Sequence, residues 1–348
     1  MVHPEYTNLI PYRKGDRWGF CDKFRNIIIA PKYLAAEPFT DGLGFVEAYS
    51  EGFGGRYGFV DASGNEVVPP IYADAQPFSE GLARIVVDNG FGELKFGFVD
   101  RRGSIVVQPQ YEYAHDFQDG LAGVDLDNKH GFIDKTGLEV IPLKYDRTGF
   151  FDEGLVDVVD NGKLYFIDRN GEVILSLDYD STMGFSEGLA GVSRNGKEGF
   201  VNRAGELVID FVYDSLGGYS EGLAFAEVKG KCGFIDRSGR EIIKLKYENA
   251  GAFFGGLAPF KLNGKWGFLN KTDEIVIEPK YDYAHDFSEG LASVELNGKN
   301  GFIDRSGNAV IPLRYDFASM SFTNGLSLVS LNDVDFYISA DGTEFYEA

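Results

Sequence analysis

The motif G-F-(I/V)-D and its variants return ten times, and their spacing limits what the chain can fold into. The aromatic of the motif stands at Phe20, Phe59, Phe98, Phe132, Phe166, Phe200, Phe234, Phe268, Phe302 and Tyr337, at intervals of 39, 39, six of 34 and one of 35 residues. Two further markers keep the same step. The leucine of F-S-E-G-L falls at Leu43, Leu82, Leu121, Leu155, Leu189, Leu223, Leu257, Leu291 and Leu326. A tyrosine follows each third apolar run, at Tyr33, Tyr72, Tyr111, Tyr145, Tyr179, Tyr213, Tyr247, Tyr281 and Tyr315. Units at approximately 8–41, 42–80, 81–119, 120–153, 154–187, 188–221, 222–255, 256–289, 290–324 and 325–348 fill residues 1–348 as one array, with no room for a second domain. A unit this small cannot bury a core alone, so its neighbours must supply the other wall.

Each unit holds three short apolar runs and no helical periodicity. In "GLASVEL" (290–296), strict alternation puts Ala292, Val294 and Leu296 on one face. Asn-Gly at 161–162, 195–196, 263–264 and 297–298 joins the first two runs and accepts the positive φ angles of a type I′ hairpin. Asp-x-x-Gly, as at 134–137, 236–239 and 304–307, supplies the second turn. The chain is therefore expected to be all-β, a tandem array of ten three-stranded antiparallel meanders of about 34 residues. Units two and three gain five residues each at the first hairpin ("YSEGFGG" and "DNGFGEL"), which implies an exposed tip. Prolines Pro31, Pro69, Pro109, Pro142, Pro279 and Pro312 mark the third strand as an edge or its end.

Three aromatics recur per unit, for example Phe302, Tyr315 and Phe322, and read as a ladder of core contacts along the array. The glycine before the core Phe (Gly19, Gly58, Gly97, Gly131, Gly199, Gly233, Gly267, Gly301) sits inside a strand and implies close approach by another group, expected to be an aromatic of the adjacent unit. Tyr165 and Phe336 break the rule, so the packing of units five and ten should differ.

The segments "DRWGFCDKFRNIIIAPKY" and "GKWGFLNKTDEIVIEPKYDYAHDFSEGLA" resemble the bacterial WG-repeat (KWG-repeat) family, and the likeness covers essentially the whole chain. Tryptophan itself remains only at Trp18 and Trp266; elsewhere its place holds Tyr57, Phe96, His130, Leu164, Glu198, Cys232 or Asn300, which reads as a part-buried position. The resemblance implies β-rich repeats in varying number and no shared reaction, so it carries over no catalytic residue.

Stacked small sheets can close into a propeller or run on as an open superhelix. Ten blades exceed the usual four to eight, and propeller blades usually have four strands. The chain also starts with a strand ("NLIPY") and ends after a third ("TEFYE"), with no strand visibly donated to close a ring. An open β-solenoid is therefore expected, with a closed propeller-like ring as the alternative.

Candidate chemistry is sparse. Lys plus Arg number 33 and Asp plus Glu 54, a net charge of −21 that disfavours nucleic acid and anionic membranes. No stretch approaches a membrane span. The N-terminus lacks a signal-peptide core, which reads as cytoplasmic unless a signal peptide was removed (then secreted or periplasmic). Two cysteines, Cys21 and Cys232, make neither a disulfide framework nor a zinc cluster. "YAHDF" occurs at 113–117 and 283–287, putting His115 and His285 in one register beside Asp116 and Asp286; other units have Gln76, Gly149 or Gly184 there. Repeated His-Asp pairs could serve acid–base work or bind a metal, but two copies five units apart favour shared ancestry. The acids of "SEG" and "YD", such as Glu187 with Asp180 or Glu289 with Asp282, lack the spacing of a calcium loop and read as a solvated acidic face. His3 and His130 have no matching cluster.

No catalytic, metal or cofactor residues are assigned; His115, His285, Tyr113 and Tyr283 are the surface candidates. The function expected is a non-enzymatic scaffold binding a protein or peptide. A glycan- or cell-wall-polymer-binding array, using aromatics such as Tyr49, Phe91, Tyr113 and Tyr283, is the alternative.

Overall fold

The computed structural model describes residues 9–88, 90 and 92–348. His3 and Phe91 lie outside the described residues. The strands group into ten sheets, nine of four strands and one of three, each passing to the next in chain order. We number these blades 1 to 10.

The linker between meanders folds as a strand. Blade 4 opens with Tyr113–Ala114, which pairs antiparallel with Leu121–Leu126 (Tyr113 opposite Asp125, Ala114 opposite Val124). Lys129–Asp134 and Glu139–Tyr145 complete the sheet. The same order holds in blades 2 to 9. The expected three-stranded meander therefore lacked its first strand, which is often only two residues long and too short to show a period of two. The Asn-Gly and Asp-x-x-Gly turns fall where expected: Asn161, Asn195, Asn263 and Asn297 have φ of 49–53°. Asp134 Oδ1 accepts the Thr136 hydroxyl and the amides of Thr136 and Leu138, and these hold its carboxyl below the ordinary range. Tyr49 and Phe53 stand exposed at the blade 2 hairpin tip, where the insertion falls.

The array is closed, not open. After the third strand of blade 10 (Val334–Ser339), Glu344 bridges back to Ile338, and the chain then crosses to blade 1. There Tyr346–Glu347 pairs parallel with Ile10–Lys14, Tyr346 opposite Arg13 and Glu347 opposite Lys14. Phe345 O accepts the Arg13 amide at 3.1 Å, and Glu347 O accepts that of Gly15 at 2.9 Å. "TEFYE" is thus the donated strand, supplying blade 1 with its fourth. The molecule is a ten-bladed β-propeller, and the expected open solenoid is wrong. A two-residue parallel pairing leaves no alternating pattern, which is why the donation escaped notice. Without closure, the apolar outer face of blade 10 and that of blade 1 would both stay wet. Instead Tyr12, Cys21 and Phe345 are buried together, with Ile10, Leu326 and Tyr337 packed on them.

The core lies between blades. At nine successive seams the G-F-I-D ring of one blade meets the F-S-E-G ring of the next, from Phe20 on Phe39 to Phe302 on Phe322, with centroids 4.7 to 5.0 Å apart. Such edge-on and tilted geometries suit the aromatic quadrupole. The aromatic ladder is real and runs around the ring. The core tyrosines cross the seams with their hydroxyls: Tyr247 donates to Asp273 at 2.6 Å and Tyr315 to Glu344 at 2.9 Å.

The strand glycines have a different cause from the one expected. A Cβ on Gly19 would lie 2.3 Å from Ile29 O and 2.7 Å from Pro31 N, in the fourth strand of its own blade. The equivalents at Gly58, Gly97, Gly131, Gly199, Gly233, Gly267 and Gly301 meet the same carbonyl at 2.3–2.6 Å. The fourth strand bulges there, with two register shifts against the third. The nearest atoms are backbone of the same blade, not an aromatic of the next. Blade 5 has Tyr165 instead and pairs regularly through Leu164–Leu177, Tyr165–Ser176 and Phe166–Leu175. Leu177 there takes the place held by Tyr33 elsewhere, and Tyr179 moves out to pack on Phe211, centroids 5.4 Å apart.

The tryptophan position is part-buried, as expected, at Tyr57, Phe96, His130, Glu198 and Asn300, but fully buried at Trp18, Leu164, Cys232 and Trp266.

Candidate functional site

The two "YAHDF" segments open blades 4 and 9, five apart in a ring of ten and so on opposite sides of it. His115 and His285 do not meet. Nor does either histidine form a dyad with the aspartate after it. Successive strand residues point to opposite faces, and each segment follows that rule. His115 turns toward blade 5, where its ring lies 4.8 Å from Phe150, and Tyr113 lies 5.0 Å away. Asp116 turns toward blade 3 and sits 3.3 Å from Arg84 Nε.

The reason for a large residue at 115 is its cross-strand partner. The His115 amide donates to Gly123 O at 2.8 Å, and the imidazole covers the space a Gly123 Cβ would enter, 3.2 Å away. Met183 covers Gly191 in the same way; it, not Gly184, stands where the histidine stands in blade 4. The sizes reverse elsewhere: Gly149 faces Asp157, Gly217 faces Phe225 and Gly251 faces Pro259. His285 faces the buried Ser293. One member of each of these pairs is small, so the position exchanges volume with its partner. Burial lowers the pKa of both histidines, which favours the neutral imidazole.

The aspartates differ between the copies. Arg84 donates to Ala114 O, lies over the rings of Phe96 and Tyr113, and counters the burial that raises the Asp116 pKa. Its Nε proton is not aimed well at the carboxylate. Asp286 faces Gly251 and Pro259 of blade 8, where no such arginine stands. Its Oδ1 is buried without a hydrogen bond, and burial raises its pKa.

The acids expected to form a solvated face stay partly exposed, and most of them also staple one blade to the next. Asp41 of blade 2 accepts the Gly81 amide at 3.0 Å and pairs with Arg101 at 2.7 Å, both in blade 3. Glu80 does the same with Gly120 (2.8 Å) and Lys135 (3.0 Å), Glu153 with Gly188 (3.1 Å) and Arg203 (2.7 Å), and Glu221 with Gly256 (2.9 Å) and Lys271 (3.0 Å). Glu187 and Glu289 accept from Gly222 and Gly325. These acids hold φ of 48–54°, the left-handed turn position. The acids of "YD" work at the other end of the second strand. Asp146 accepts Lys129 Nζ of blade 4 at 2.6 Å and the Asn161 amide of its own hairpin at 2.7 Å. Asp180 and Asp282 accept the amides of Asn195 and Asn297. Glu187 and Asp180 thus cap opposite ends of Leu189–Arg194 and cannot share an ion. Among the described residues, no three His, Cys, Asp or Glu side chains converge as metal ligands. Sequence reasoning missed the staples because their partners are backbone amides one blade away.

The remaining reactive groups are used in packing. Burial pushes the Cys21 thiol up to about 12 and the Cys232 thiol up to about 11. His130 Nδ1 pairs with Asp125 Oδ1 at 2.6 Å on the neighbouring strand. Tyr113 and Tyr283 are 40% and 46% exposed, but on opposite sides of the ring, and Tyr49 stands at the blade 2 hairpin tip. They do not assemble into one aromatic face. A cleft of about 1060 Å³ lies where blades 10, 1 and 2 meet, lined by Leu9, Phe24, Phe39, Asp41, Asn324 and Ser339 among others.

A closed ring of ten sheets, riveted by aromatic contacts and at six joints by acid–amide contacts, defines a β-propeller repeat protein. The sequence matches the model of the WG containing repeat at residues 18–48, 57–91, 96–129, 131–163, 166–197, 199–232, 233–266, 266–299 and 301–334, and the chain belongs to that family. No curated protein matches the sequence. Among solved structures, it is similar in fold to a eukaryotic initiation factor (11% identity, TM-score 0.55, covering 87% of this chain and 95% of that one). Hsv2 from Kluyveromyces lactis also matches, at 8% identity and a TM-score of 0.39, over 64% of this chain and 87% of that one. No helix among the described residues is long and apolar enough to cross a membrane.

Proposed function

We propose that the chain is a non-enzymatic scaffold that binds a protein or peptide. One observation carries this reading: the side chains able to do chemistry are occupied in holding blades together, while the outer strands turn apolar side chains to solvent. The staple acids, the two thiols and the two packed histidines are examples of the first. Ile27, Ile105, Val173, Leu207 and Ile275 are examples of the second, one per blade and all on fourth strands, and Leu138 stands just before another. A repeated surface of this kind binds through many modest contacts.

The test is affinity capture with the immobilised chain, followed by identification and quantitative rebinding of the retained protein. A partner released by Lys substitutions on the outer strands supports the reading. Turnover of a small substrate, with no protein retained, would end it.

A further inference from the structure

Among the described residues, every blade from 1 to 9 leaves the edge of its fourth strand unpaired, a template for another strand unless something blocks it. Proteins block such edges with proline, with bulges, or with lysine. Six of these nine strands carry proline: Pro31, Pro69 and Pro70 together, Pro109, Pro142, Pro279 and Pro312. Of the other three, Leu207–Tyr213 and Glu241–Tyr247 both bulge, and the latter adds Lys244 and Lys246. In blade 10 the chain's own end covers the third strand, through the Glu344 bridge. Val173–Leu177 of blade 5 is the least protected of the nine. It lacks proline and lysine and keeps only the register shift next to its turn.

The same strand is apolar and flanked by acids. Val173 is 57% exposed and Ile174 49%. "EVILSLDYD" (172–180) has acids at Glu172, Asp178 and Asp180 and no Lys or Arg, whereas five other fourth strands place Lys or Arg just before their tyrosine. Arg194 from blade 6 ends the free stretch by donating to Asp178 O at 2.8 Å. We infer that this edge accepts one extended peptide segment of a partner, a short β-branched run flanked by Lys or Arg, which adds as a fifth strand. Two copies of this chain would bring like-charged ends together, so a partner with basic flanks fits better than a second copy. The inference rests on the scaffold reading and names where a partner docks.

The probe is a fluorescein-labelled peptide, Lys-Val-Thr-Val-Thr-Val-Lys, titrated against the full chain by anisotropy at low salt. Binding is expected, with slowed amide exchange at residues 173–177. Ile174→Lys and, independently, Val173→Lys should each weaken it at least about tenfold. So should proline at the central valine of the peptide, while Leu138→Lys on blade 4 should leave it unchanged. Both edge positions are exposed, and an unchanged melting temperature confirms that the variants fold. No binding, equal loss with Leu138→Lys, or edge-dependent dimerisation seen by sedimentation would overturn the proposal. A host partner that stays bound to Ile174→Lys would also overturn it, yet leave the scaffold reading standing.

Discussion

Tyr337 meets Trp18 edge-on, ring centroids 5.9 Å apart, and so joins the last blade to the first. By register Tyr337 stands where Phe302 stands in blade 9, since it pairs with Leu328 as Phe302 pairs with Ser293. At the other seams that ring finds an F-S-E-G aromatic, whereas here it finds a tryptophan. The closing strand supports the contact: Phe345 is 1% exposed, and Tyr346 stacks on Phe336 at 4.1 Å.

Closure therefore depends on a few terminal residues. Phe345→Ala should destabilise the protein by about 3–5 kcal/mol, the usual cost of emptying a buried phenylalanine site. Removing residues 343–348 should open the ring. Small-angle scattering would then show a larger radius of gyration, and Trp18, now 7% exposed, should shift its emission to the red. A truncated chain with unchanged scattering would contradict the latch.

Gly233→Ala should cost about 2–3 kcal/mol, because the added methyl lies 2.3 Å from Ile243 O and backbone cannot step aside. Tyr165→Ala in blade 5 should cost less, since the fourth strand does not bulge opposite it and the side chain is only partly buried. Urea midpoints of the two variants test the contrast.

What could be read in advance follows from where the information lies. The period of 34, the three longer strands and the turns are local, and Asp134, Asn161 and Phe302 announced their roles. The first strand did not, because Tyr113–Ala114 is too short to alternate. Closure did not either, because Tyr346 and Arg13 are a chain length apart and pair over two residues. Glu153 looked like a solvated acid because its partners, the Gly188 amide and Arg203, belong to another blade. At the candidate site, the packing of His115 on Gly123 needed the register of two strands. Only the identity of both copies of "YAHDF" was visible.

The acid staples predict a pH dependence. Its hydrogen bond with Lys271 holds the Glu221 carboxyl below its ordinary value of 4.5. Its stabilisation is complete above that value and fades as pH falls through the lower, folded value. The side chain is 31% exposed, so the effect of one staple stays below about 1 kcal/mol. Glu221→Gln keeps the left-handed turn and an acceptor for Gly256 but loses the charge. Its melting temperature should fall below that of the parent at pH 7 and converge with it near pH 3. A difference independent of pH would assign the role to shape alone.

The two copies of "YAHDF" give the reverse sign. Asp286 has its pKa raised by burial from an ordinary 3.8, so the folded protein holds that proton to higher pH than the unfolded chain does. Stability is therefore lost as pH rises from 3.8 through the folded value, and the deficit persists at neutral pH. Asp286→Asn removes it and should stabilise the protein by at most about 1 kcal/mol at pH 7, with no gain at pH 3. In the first copy, Arg84 supplies what Asp286 lacks. Arg84→Ala should destabilise by about 1–2 kcal/mol, because it strips the partner from a half-buried carboxylate and exposes the rings of Phe96 and Tyr113. Adding Asp116→Asn to Arg84→Ala should recover part of that loss, whereas Asp116→Asn alone should not stabilise. Melting curves of the four variants at pH 7 and pH 3 decide it; equal effects of Asn at 116 and 286 would mean that Arg84 does not distinguish the copies.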